Sequence, residues 1–224
     1  MSLGAIITGI SAVISTIASV GSMVATYGKS IFSALNGLDL LRIAQVVDII
    51  CTTVDLISKL LGLENKDTVD ELGAKALQSD KQLEDFDSVQ QYIDYLNKEI
   101  QIDQTKMKEM SLMDKIACQT VGTAILSKGI EEKKDILIPG DFWTTIGKQA
   151  ISPEFAMSVI EGFKEAGFQQ VQMTSYLKGD LKMEEMDKSE SIMMNSLKKL
   201  NPELSDDQMK ERLGDMIRSA NTEG

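Results

Sequence analysis

The sequence contains no histidine, which removes the commonest general base and the commonest metal ligand together. Only two cysteines occur, Cys51 and Cys118, far apart and each inside an apolar helical pattern. Neither a disulfide framework nor a paired-cysteine zinc site follows from them. Buried free thiols and an intracellular setting are expected, with a bond between the two as the alternative. Proline is also scarce. None of the three precedes Pro139, so over more than half of the chain no proline interrupts a helical pattern. Aromatic residues make up 5% of the 224, with a single tryptophan, whereas methionine reaches 13, and methionine fills irregular cores or adaptable interfaces. A glycine-rich phosphate loop, a nucleophile elbow and a calcium loop are all missing. The acidic pairs Glu131–Glu132, Glu184–Glu185 and Asp206–Asp207 are adjacent in sequence, so on a helix their carboxylates point apart. No catalytic, cofactor-binding or metal-ligating residue can be nominated. A non-enzymatic protein with no cofactor and no small-molecule substrate is expected.

A further absence carries more information. The first 28 residues hold no charged side chain, and Lys29 is the first charge in the chain. Residues 1–63 contain Lys29, Arg42 and Lys59 against Asp39, Asp48 and Asp55, which cancel, so the net charge of -11 belongs entirely to residues 64–224. An acidic chain without a basic cluster is a poor ligand for nucleic acid or for anionic lipid. Any membrane contact must then be driven by apolar burial.

What fills the uncharged stretch is patterned. Ile7, Ile10, Ile14, Ile17 and Val24 recur at alternating steps of three and four, with Gly21 in the gap, and Ile6, Val13, Val20 and Tyr27 follow at steps of seven. Thr8, Ser11, Ser15, Ala18, Ser22 and Ala25 form the opposite, small-residue face. The spacing predicts a heptad-patterned helix through Gly28, and Ile7, Ile10, Ile14, Ile17 and Val24 are its candidate interaction or membrane face. A second helix is predicted over 38–61, with a narrow polar stripe of Asp48, Thr52, Asp55 and Lys59, a turn before it at Asn36–Gly37 and a stop after it at Gly62. Together they read as an apolar helical hairpin over 1–63. About 20 apolar residues span a bilayer, so the first helix is long enough. Its serine, threonine and glycine content, and the acids of the second helix, favour a protein-packed or conditionally inserted segment over a constitutive span. The missing basic leader argues against a cleavable secretory signal.

The acidic remainder divides at the strand-like run Asp135–Gly140, read as an extended linker, into a helical segment over 64–138 that packs on the hairpin and a helical region over 139–224. Helix starts are marked by Thr68/Glu71, Ser88/Gln91, Ser111, Ser152–Pro153–Glu154 and Ser205/Gln208. The helix begun at Ser111 is expected to end at Gly129, and the one begun at Ser152 at Gly167. Trp143, beside Phe142, is either an aromatic plug or an interface anchor. The fold class is therefore all-α, a multi-helix bundle with an N-terminal apolar hairpin.

The segment MSLGAIITGISAVISTIASVGSMVATYG resembles the Ala/Gly/Ser/Ile-rich helices of phage tape-measure and DNA-ejection proteins. The resemblance covers about an eighth of the chain and is compositional. It implies a helical virion or injection-apparatus component that meets a membrane during delivery. Three readings follow: a structural or interaction protein with an oligomerising or membrane-active hairpin, a helical pore-forming effector, and an adaptor or regulator whose N-terminal helices are simply its core. The expected partner is another protein or a copy of the chain, met through the N-terminal helices.

Overall fold

The computed structural model describes residues 11–222, and among them the chain is all-α, with twelve helices and one isolated bridge in place of any strand. It forms two compact units, Met1–Lys133 and Lys134–Gly224. The expected regions 1–63 and 64–138 thus merge, and the boundary falls just ahead of the Asp135–Gly140 run. The reason lies in α7, below, which is enclosed by the helices that precede it.

Unit 1 runs through α1 (residues 11–17), α2 (Ser22–Ser33), α3 (Leu40–Leu60), α4 (Val69–Gln78), a 3-10 turn (Leu83–Asp85), α5 (Val89–Glu99), α6 (Gln104–Lys108) and α7 (Leu112–Lys134). The first predicted helix is not continuous. It breaks over residues 18–21, where Gly21 takes φ 85°, a left-handed conformation that only glycine adopts cheaply. A Cβ at Gly28 would lie 2.9 Å from Ile17 Cγ2, so the end of α1 rests on the middle of α2. In an unbroken helix those positions would stand about 17 Å apart along the axis. The chain therefore folds back at Gly21. The turn at Asn36–Gly37 is present, with Gly37 at φ 90°, and Asp39 caps α3 by accepting from the backbone N–H groups of Leu41 and Arg42 at 3.0 Å each. Gly62, at φ 71°, follows its end.

The expected stop at Gly129 is absent, and α7 runs through it to Lys134. Glycine here serves packing: a Cβ at Gly129 would sit 2.6 Å from Leu63 Cδ1. Two further glycines act more strongly. A Cβ at Gly73 would lie 1.8 Å from the Cys118 carbonyl oxygen, and one at Gly122 1.9 Å from that of Val69, so α4 and α7 meet backbone to backbone. As a result α7 is not the one-sided amphipathic helix its sequence suggests. Every residue from Ile116 to Ser127 is buried, including Gln119, Thr120 and Thr123. Their polar groups are met internally. Gln119 Nε2 donates to Asp48 at 2.6 Å, Thr120 donates to the Ile116 carbonyl at 2.7 Å, and Thr123 Oγ1 pairs with Cys51 Sγ at 3.2 Å.

Unit 2 comprises α8 (Gly140–Lys148), α9 (Pro153–Glu165), α10 (Met173–Lys178), α11 (Met183–Leu200) and α12 (Asp206–Thr222). Of the Asp135–Gly140 run only the middle is extended: Asp135 turns the chain at φ 50°, Gly140 already opens α8, and Leu137 between them forms a parallel bridge. Leu137 N–H donates to Gln169 and its carbonyl accepts from Val171, at 3.0 and 2.9 Å, which turns Ile136 and Ile138 into the core. Ser152 caps α9, with Pro153 in its first turn, and Gly167, at φ 79°, follows its end. Ser205 and Gln208 close a reciprocal capping box at the start of α12.

Candidate functional site

The predicted interaction face on α1 and α2 is only partly within view, since Ile7 and Ile10 lie outside the described residues. Of the others, Ile17 and Val24 are completely buried and Ile14 is half-buried. Val13, Val20 and Tyr27, the positions at steps of seven, are buried as well. In this conformation the bulky face is part of the core of unit 1, and the small residues Ser11, Ser15, Ala18 and Ser22 face outward. Lys128 Nζ lies 4.7 Å from the Tyr27 ring centroid, which ties α2 to α7.

The start of α2 is held by a residue far along the chain. Glu84, on the 3-10 turn, accepts from Ser22 Oγ at 2.8 Å and from the Met23 backbone N–H at 2.5 Å. This carboxylate supplies the cap that α2 does not take from Gly21. Burial alone would raise the Glu84 carboxyl, but the donors from Met23 and Ser22 outweigh it and hold the group below the ordinary glutamate value. Nothing in the sequence near Ser22 signals this contact, because its two halves are separated by 62 residues.

On α3 the inner face is closed by Val46, Val47, Ile50, Val54 and Ile57. Its outer surface carries Leu41, Leu56 and Leu60 at 65%, 44% and 74% exposure. The charges around them cancel: Lys59 pairs with Asp55 at 2.7 Å, and Lys115 approaches Asp48 at 4.0 Å. The sequence pattern places Leu41 on the wide, mostly enclosed apolar face, where the structure instead leaves it in water, and it passes over Leu56 and Leu60 beside the polar stripe. Their signal is nevertheless present, since Leu56 and Leu60 lie four apart and flank the stripe.

Neither thiol is poised for chemistry. Cys51 and Cys118 are free and buried. Burial pushes their pKa values up to about 12 and about 11 respectively, so both stay protonated and weakly nucleophilic at neutral pH. Among the described residues no group of three or more cysteines and carboxylates is placed to hold a metal ion, and no helix is long and apolar enough to cross a membrane.

Trp143 is fully buried in unit 2, edge-on to Phe142 with ring centroids 4.9 Å apart, in the place of a plug. Unit 2 also has two surface grooves. One, of about 570 Å³, lies along α9 and α11, where Glu161 is bridged by Lys134 at 2.9 Å and Lys199 at 3.4 Å. The other, of about 660 Å³, is lined by Phe155, Leu197, Leu200 and Met216, with Arg212 and Asp215 alongside. No family model, no curated protein and no solved structure matches the chain.

Proposed function

We propose that the chain is a non-enzymatic helical interaction protein that engages another protein, or a copy of itself, through its N-terminal helices. A virion or injection-apparatus component is the most concrete form of this reading. The observation that carries it is the outer surface of α3, where Leu41, Leu56 and Leu60 stand in water on the charge-balanced third of an otherwise acidic chain. Exposed apolar side chains gain by being covered, and a neutral surface is where two strongly acidic molecules repel each other least. The fold-back at Gly21 directs the partner to α3, because the bulky face of α1 and α2 is already used internally.

The test is the solution mass of the full chain, by light scattering over a range of concentrations, compared with a Leu56→Glu/Leu60→Glu variant. Association that rises with concentration, and is lost in the variant without loss of helicity, supports self-association. A monomer at every concentration for both removes self-association and leaves only a foreign partner. The charge-free stretch 1–28 favours a second, membrane-perturbing reading. It predicts dye leakage from neutral vesicles, and that reading fails if no leakage occurs at any pH.

A further inference from the structure

Around Gly21 the sequence pattern and the fold disagree. Val13, Ile17, Val20, Val24, Tyr27 and Ile31 are spaced by alternating fours and threes straight through Gly21, the spacing of a single helix with a single apolar face. The backbone nevertheless breaks at 18–21 and α1 turns back onto α2. Two features hold it there. Ile17 sits over Gly28, a position open only because it lacks a side chain, and Glu84 caps the new helix start at Ser22 and Met23. The turn that carries Glu84 also closes on Gly21 itself. A Cβ there would lie 2.8 Å from Glu84 Oε2 and 2.9 Å from Gln82 Oε1. The break is thus imposed by a distant segment and permitted by two glycines, not encoded by a local stop.

We propose that the 3-10 turn Leu83–Asp85 is a latch, with Glu84 as its catch, that keeps the N-terminal arm folded back. On release, residues 11–33 form one straight helix. The inference goes beyond the proposed function, since it concerns how the arm is held and not which partner α3 meets. Opening uncovers Val13, Ile17 and Val20, which are buried in the folded-back form, and exposing large aliphatic side chains to water is unfavourable. The straight form therefore needs an apolar phase to receive that face. The latch sets how readily it is reached: losing a charged acceptor at the helix start shifts a local equilibrium by about tenfold, the equivalent of 1.4 kcal/mol.

The experiment places spin labels on the full chain at Ser11→Cys and Ser33→Cys, both exposed sites, and measures their separation by pulsed electron paramagnetic resonance during titration with a neutral detergent. A straight helix sets the two sites about 33 Å apart, well beyond the folded-back separation. With Glu84→Gln, and separately with Gly21→Ala, the population near that distance is expected at about one tenth of the detergent concentration that the unmodified latch requires. Hydrogen exchange in α7, followed in the same samples, is expected to stay slow through the change. Equal midpoints with and without the latch overturn the proposal, as does the absence of the long distance in every sample. Loss of α7 protection at the same midpoint overturns it too, because the arm would then open only when the whole unit unfolds.

Discussion

Helices α3 and α7 reverse what their compositions suggest. Helix α3 is a run of leucine, isoleucine and valine, yet it leaves Leu41, Leu56 and Leu60 in water. Helix α7 carries Gln119, Thr120, Thr123 and Ser127 through its middle, yet all of that middle is buried. The difference lies in the backbone. Helix α7 has Gly122 and Gly129 where neighbours press in, so other elements close around it; Gln119, Thr120 and Thr123 find partners within helical reach or on α3, while Ser127 Oγ is buried without one among the described residues. Helix α3 has no glycine and keeps one side uncovered. Enclosure here follows how closely backbones approach. Apolar content alone does not decide it.

The largest expected effect sharpens this contrast. Ile125→Ala in α7 should cost about 2–5 kcal/mol, as the loss of a fully buried branched side chain does, whereas Leu60→Ala should stay within about 0.5 kcal/mol. Chemical denaturation of the two variants checks both, and equal losses would break the comparison. Gly122→Ala comes next, at about 3 kcal/mol, because its Cβ must push α4 away from α7 against backbone atoms that cannot rotate aside. Gly37→Ala is the contrasting case. Its Cβ meets open space, so only the strain of φ 90° remains, about 1 kcal/mol. Of similar size is Thr123→Val, which removes the Cys51 contact at about 1 kcal/mol.

The mildest effect concerns acid. The Thr68 N–H, followed by the Gln104 side chain, holds the Glu71 carboxyl below its ordinary value, and Glu84 is lowered by Met23 and Ser22 against the opposing effect of burial. A carboxyl with a depressed native pKa stabilises the fold fully above its unfolded value and loses that contribution as pH falls through the native one. The thermal midpoint should therefore hold from neutrality to about pH 5 and decline below about pH 4. Glu71→Gln/Glu84→Gln should show a shallower acid decline, and an unchanged slope would remove both groups from the account.

Much of the fold is legible in the sequence where a local rule governs it. The caps at Thr68, Ser152 and Ser205, and the positive-φ glycines at 37, 62 and 167, use side chains or conformations within a few residues of the helix end, so a one-dimensional pattern reveals them. The short helices α6 and α10 are not anticipated, since five or six residues carry too little periodicity to register. Gly129 and Gly21 depart from expectation in opposite directions. Gly129 follows an apolar run as a helix stop would, and it is a packing contact inside α7. Gly21 sits within an unbroken helical spacing, and it is a break. In both cases the deciding neighbour, Leu63 or Glu84, is more than 60 residues away. The candidate face is legible as a face. Its direction, inward against α7 and the 3-10 turn, depends on those same distant contacts.

Thiol labelling of native protein tests the central contrast most directly. Leu60→Cys in α3 and Ser127→Cys in α7 each replace one side chain, and the native Cys51 and Cys118 serve as internal buried standards. The account predicts that the thiol at position 60 reacts with a maleimide as fast as a free peptide thiol. The one at position 127 should react only as fast as the unit unfolds. Equal reactivity at the two sites, or a protected thiol at 60 in dilute monomer, would contradict it.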